Sequence, residues 1–219
     1  MLTFKNIQMQ TNKTLSLVGC FIFLLLTACS PEDDIKNPNF NPLIFAEDFS
    51  KGAIDDTVIN LENWTNVAEI GTVKWKTQIR SSNPFAEFSS FLPNVSVEKQ
   101  EPVHVGWLIS PAINMDMVVG EILQFRAAQR FVVSSGNSLE VLVSTDYNGT
   151  NLSTANWQPI EANLPTTSSS PGVFINSGEI DLSAYTGNIN IAFKVVGSGT
   201  NSSLRGTYQV DAIRIYTKN

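Results

Sequence analysis

The chain has 219 residues, with 14 Lys and Arg against 20 Asp and Glu and a formal charge of −6. An acidic surface repels phosphate backbones, which excludes nucleic acid as a partner. A single histidine rules out a multi-histidine metal centre, and the only two cysteines, Cys20 and Cys29, both precede residue 30. Residues 1–28 carry Lys5 and Lys13 in a short head, then an apolar run from Val18 to Leu26 and small residues before Cys29. That composition reads as a secretory signal peptide, too short and wrongly flanked for a stable membrane span.

The ending Leu26-Thr27-Ala28-Cys29 resembles the bacterial lipobox, which implies cleavage before Cys29 and lipid attachment to its thiol. An ordinary secretion signal with an incidental cysteine is the alternative. Acyl chains contribute about 0.8 kcal/mol per buried methylene, so several on one residue anchor a protein firmly. Ser30-Pro31-Glu32-Asp33-Asp34 is similar to the signal that exports lipoproteins to the outer face of the outer membrane in polysaccharide-feeding Gram-negative bacteria. A solvated acidic linker would carry the same residues. Residues 29–41 read as a lipid-anchored extended tether of Pro and polar residues. Residues 42–219 form one domain with no thiol left for a disulfide or for catalysis.

Within that domain, short runs of β-branched and aromatic residues recur between Gly, Pro, Asn and Ser clusters. The spacing predicts strands at 43–49, 73–79, 85–91, 103–109, 121–129, 138–145, 173–180, 189–196 and 207–217. Alternation is clear in Ile189-Asn190-Ile191-Ala192-Phe193-Lys194-Val195, with Ile, Ile, Phe and Val on one face. No segment keeps a helical stripe for three turns. Many strands without intervening helices predict an all-β, antiparallel two-sheet jelly-roll sandwich. Long polar loops fall at 92–102, 163–172 and 197–206.

Two acids share strand parity with apolar residues. Glu47 lies between Phe45 and Phe49, and Asp211 has the parity of Ile213 and Ile215, so each is expected to point at the core. A buried carboxylate needs a cation or dense hydrogen bonding. Jelly rolls commonly pair their terminal strands, which would bring the two acids together around a structural Ca2+ ion, with Asp48 contributing if the strand bulges. Strand ends facing water, or a partner in Arg205 or Arg214, would answer the same acids without metal.

The order of motifs resembles a known family. It runs from Phe45-Ala46-Glu47-Asp48-Phe49 through Trp64 and Trp75 to Gly106-Trp107-Leu108-Ile109-Ser110-Pro111-Ala112-Ile113. Leu139-Glu140-Val141-Leu142-Val143-Ser144-Thr145-Asp146-Tyr147 and Thr154-Ala155-Asn156-Trp157 follow, and Val210-Asp211-Ala212-Ile213-Arg214-Ile215 closes the series. It is similar to the choice-of-anchor J family, related to the cleaved-adhesin domains beside gingipain proteases. The resemblance implies a galactose-binding-like jelly roll on surface proteins, often with structural calcium, whose ligands map to Glu47 and Asp211.

For catalysis the inventory is thin. There is no Gly-x-Ser-x-Gly elbow, no phosphate loop and no available cysteine, and His104 lies on a predicted strand. The expected function is therefore a non-catalytic, surface-displayed binding module for glycan or a surface protein, held at the membrane by its lipid. Trp75, Arg80, Asn83 and Gln129 are the candidate ligand contacts, with Trp75 alternatively part of the core. Trp64, Trp107 and Trp157 are assigned to the core, because Trp buries a large area. The rival class is a structural or accessory lipoprotein with a protein partner.

Overall fold

A computed structural model describes residues 41–218. The signal segment 1–28, Cys29 and the tether as far as residue 40 lie outside the described residues. The strands are β1 (Leu43–Glu47), β2 (Thr57–Val58), β3 (Thr65–Ile70), β4 (Lys76–Arg80), β5 (Asn83–Ser89), β6 (His104–Ile109) and β7 (Ile113–Asn114). They continue as β8 (Glu121–Arg130), β9 (Ser138–Ser144), β10 (Gln158–Pro159), β11 (Ile175–Asn176), β12 (Ile180–Asp181), β13 (Asn188–Gly197) and β14 (Thr207–Thr217). One sheet runs β11-β8-β14-β5-β4-β2, with β1 paired to β14 and β12 to β8. The other runs β10-β9-β13-β6-β3, with β7 paired to β13. Every pairing is antiparallel. This is the expected all-β sandwich, and its first and last strands pair as the jelly-roll argument requires.

Alternation decides which residues meet between the sheets. Phe125 of β8 meets Phe193 of β13 edge-on at 5.2 Å, and Trp75 packs on Phe88 of β5 at 5.7 Å. Val141, Val143, Ile191 and Val195 extend the same core from the second sheet, and Leu123, Val210 and Ile215 from the first. The expected strands leave out β2, β3, β7 and β10, and the one expected at 73–79 begins at Lys76. Residues 65–70 form β3, although Thr65-Asn66-Val67-Ala68-Glu69-Ile70 carries few apolar side chains, because pairing with β6 supplies the order that burial does not. The single strand expected at 173–180 is two short pieces, because Gly178 turns the chain at φ 82° between them.

Gly106 lies directly against a ring from the facing sheet. A Cβ added there would sit 2.0 Å from Cε2 of the buried Phe88 ring. Overpacking of a dense core costs about 1–3 kcal/mol, so Gly106→Ala is expected to lower the thermal unfolding midpoint by several degrees. An unchanged midpoint would show that the sheets separate at little cost.

Candidate functional site

The acids of the terminal strands lie where β14 changes partners. Its first half pairs with β5 through Val210, and its second half pairs with β1 from Ile213 onward. Between Asp211↔Arg126 and Arg214↔Gln124, β14 takes three steps against two on β8, which is one extra residue and so a β-bulge. Ala212 is the bulged residue, held at φ 50° in the left-handed region. Val210 and Ile213 consequently both reach the core, at an odd spacing that an unbroken strand cannot give.

The bulge turns Asp211 outward. Arg126, its partner across the ladder, stands between the core residues Phe125 and Ala127 and therefore faces away from the core. Arg126 Nη2 lies 2.6 Å from Asp211 Oδ2, and Asn83 Nδ2 donates to the same oxygen at 3.2 Å. The Ala212 N–H donates to Oδ1 at 2.6 Å, which leaves Asp211 only 1% exposed. Its charge is thus met by Arg126, while Arg205 Nε donates to the carbonyl of Gly199 and Arg214 Nε to Gln124.

Glu47 sits opposite Ile213 and takes the inward face, as its parity implies. Its Oε1 accepts the Phe49 N–H at 2.6 Å. Burial raises its pKa, and the Phe49 hydrogen bond opposes that rise. Asp48 is exposed, and hydrogen bonds from the Ser50 hydroxyl and N–H hold its pKa down. Glu47 and Asp211 therefore belong to opposite faces of one sheet, and their shared parity is undone by a single extra residue. A calcium ion bridging both acids does not fit this arrangement. Among the described residues no three His, Cys, Asp or Glu side chains form a metal cage.

The four candidate ligand contacts do not converge. Trp75 is wholly buried in the core, with Nε1 directed at the Gly106 carbonyl at 3.4 Å, so it has no face to offer a ligand. Gln129 is 2% exposed and braces two loops, donating to the Ser169 carbonyl and accepting the Val132 N–H. Arg80 is exposed 3.8 Å from Asp55, and Asn83 is spent on Asp211. The ligand contacts expected at Trp75 and Gln129 are thus corrected by burial.

A different surface gathers the aromatic residues. On β6, Gly106 and Leu108 face the core, so Val105, Trp107 and Ile109 face outward and form a second apolar cluster with Leu142 and Ala192. Trp107 and Trp157 pack at 5.3 Å, and Tyr147 and Trp157 at the same distance. Trp107 Nε1 donates to Glu69 Oε2 at 2.7 Å, and Lys194 Nζ lies 5.1 Å above its ring. The loop bearing Tyr147 is pinned by Asp146, which accepts the Asn156 N–H at 2.8 Å and the Ser144 hydroxyl at the same distance. A trough of about 310 Å³ opens beside the cluster, lined by Thr65, Glu69, Trp107, Tyr147, Asn151 and Ser153. Trp107, expected in the core, is buried at 5% exposure in this second cluster, and Trp157 packs half-buried against it. The alternation of Gly106 and Leu108 against Val105, Trp107 and Ile109 was the signal for a second buried cluster on the reverse face of the sheet.

No protein-family model matches the chain, and no curated protein matches it in sequence. Solved structures do match. The K2 cleaved adhesin domain of Lys-gingipain aligns with a TM-score of 0.52 at 15% identity, over 80% of this chain and 99% of that one. The chain shares the fold of a cleaved adhesin domain. The K1 domain of the same protease from Porphyromonas gingivalis W83 gives 0.49 at 20% identity, over 80% and 98%. A xylan-binding domain from Paenibacillus barcinonensis gives 0.43 at 15%, over 80% and 99%.

The single histidine is part of the frame. His104 is fully buried, neither ring nitrogen makes a hydrogen bond, and Nε2 lies 3.4 Å from Glu101 Oε2. Burial lowers its pKa, with Glu101 pulling the other way. A histidine whose folded pKa is depressed is protonated more readily in the unfolded chain. Its contribution to stability is therefore full above about pH 6.5 and is lost as pH falls through that value toward the folded pKa. The unfolding midpoint is expected to decline from pH 7 to pH 5, and His104→Gln to flatten that decline. Parallel curves for the two proteins would exclude His104 as the titrating group.

Proposed function

We propose that this protein is a non-catalytic surface module that binds neutral carbohydrate in the trough beside Trp107, Tyr147 and Trp157. The trough itself carries the reading. Sugars are held by apolar ring faces with planar polar groups around them, and here the half-exposed Tyr147 lines the trough with Glu69, Asn151 and Thr65 while Trp157 packs against it. The loop over them is anchored by Asp146, so the site is formed before a ligand arrives, which lowers the ordering cost of binding. The Lys-gingipain likeness supports an adhesin-type role through shared fold alone.

The same proposal places the domain at the outer face of the outer membrane, held by lipid on Cys29 and lifted by the tether that precedes β1. The lipobox-like residues and the acidic run after Cys29 support that placement. Calcium enters at Glu47, with Asp48 beside it. Desolvation and the neighbouring Asp48 both disfavour the ionised Glu47, and a bound cation would relieve both.

Intact cells displaying the protein test the binding and the anchor together in a neutral-glycan array. Tyr147→Ala is expected to stay on the cells and weaken binding about tenfold or more, whereas Cys29→Ser is expected to shed the protein into soluble fractions. Binding that survives Tyr147→Ala and Trp157→Ala moves the site elsewhere. Capture of a partner protein without glycan would favour the accessory role. For calcium, EDTA is expected to lower the unfolding midpoint of the wild type and leave Glu47→Gln unmoved. Equal responses remove the ion from Glu47.

A further inference from the structure

The bulge that turns Asp211 outward also opens a hollow on the outer face of the first sheet. Asn176, Arg126 and Asp211 form one row across β11, β8 and β14. Gln124, Arg214 and Ala46 form the next across β8, β14 and β1. Residues paired across a ladder share a face, so both arginines stand on the same side. The extra residue Ala212 spreads the two rows and leaves a hollow of about 270 Å³, lined by Gln124, Phe125, Arg126, Asn176, Ala212 and Arg214. That is near the lower bound for small-ligand sites, about 300 Å³.

The charge there is unbalanced. Asp211 answers Arg126, but Arg214 forms no ion pair among the described residues. Its guanidinium meets only the neutral Gln124 amide and the Tyr216 ring at 5.7 Å. One positive charge therefore faces the hollow, in a chain of formal charge −6. Both arginines are exposed and keep unused N–H donors, and Ala46 opposite Arg214 is too small to cover it. The Arg126 guanidinium lies 5.6 Å from the centre of the Phe174 ring and that of Arg214 5.7 Å from the Tyr216 ring, so each fork rests on an aromatic face.

We infer that this hollow is a second binding site, selective for the anionic group of an acidic sugar. A guanidinium fork matches a carboxylate or sulfate in two parallel hydrogen bonds, and the Phe174 and Tyr216 rings beneath the two forks hold them in place. Arg126, kept in place by Asp211, orients the anion, while Arg214 supplies the uncompensated charge. The inference extends the carbohydrate-binding reading to another surface, on the opposite sheet from the aromatic trough.

Calorimetric titration of the full-length protein at low salt tests it, with trigalacturonate as the carboxylate probe, a sulfated galactotrioside as the sulfate probe and neutral galactotriose as the control. At least one anionic probe is expected to bind more tightly than the control, and which one does so names the anion. Arg214→Gln is expected to weaken that binding about tenfold, Asn176→Ala several-fold, and Tyr147→Ala not at all. Arg214 and Asn176 are both exposed, so neither change should disturb folding. Anionic probes no better than the control, or Arg214→Gln binding like wild type, would overturn the site. Failure of the aromatic trough alone appears instead as loss of control binding everywhere, with the Arg214-dependent titration intact.

Discussion

One extra residue in the last strand sets the arrangement of the first sheet. Without the bulge at Ala212, Asp211 would point between the sheets beside Ile213, in an apolar interior where an unpaired carboxylate costs several kcal/mol. With it, Asp211 faces outward onto Arg126, and Ile213 and Ile215 keep the core closed. The left-handed backbone at an alanine costs on the order of 1–2 kcal/mol, less than burying that charge unpaired. The same step leaves room for β1 to take over from β5 along one edge of β14.

The second sheet shows how alternation divides the labour between two faces. Gly106 and Leu108 let Phe88 approach from within, while Trp107 on the reverse side meets Trp157, Tyr147 and Lys194. Closeness on one face and breadth on the other are separated by a single peptide. The aromatic cluster therefore rests on a stiff ladder with neighbours on both sides, since β6 lies between β13 and β3.

Much of the fold was legible in the residues. The alternating run at 189–195, the lack of any helical stripe and the recurrence of turn residues led to the two-sheet sandwich and to the pairing of its ends. Glu47 was read correctly as inward, because β1 carries no irregularity at that point. Asp211 was not, since a bulge shifts parity and leaves no mark in a run as regular as Val210-Asp211-Ala212-Ile213. Trp75 and Gln129 failed as ligand contacts for a related reason. Residue type told of stacking and hydrogen-bonding capacity, but whether each was spent on the protein itself depended on Phe88, Gly106, Ser169 and Val132, all distant in sequence or fixed by loop geometry.

The antiparallel pairing of β1 with β14 has a mechanical meaning. The Thr217 N–H donates to the Pro42 carbonyl and Leu43 stands opposite Tyr216, so the chain enters the sandwich at its last rungs. Tension drawn through residue 41 falls on these rungs in sequence and peels β1 away one hydrogen bond at a time. Only β14 pairs with β1, so β6, β9 and β13 keep all their ladder partners when that strand leaves. Pulled from that end, then, the molecule can shed its entry strand while the ladder beneath the aromatic cluster stays whole.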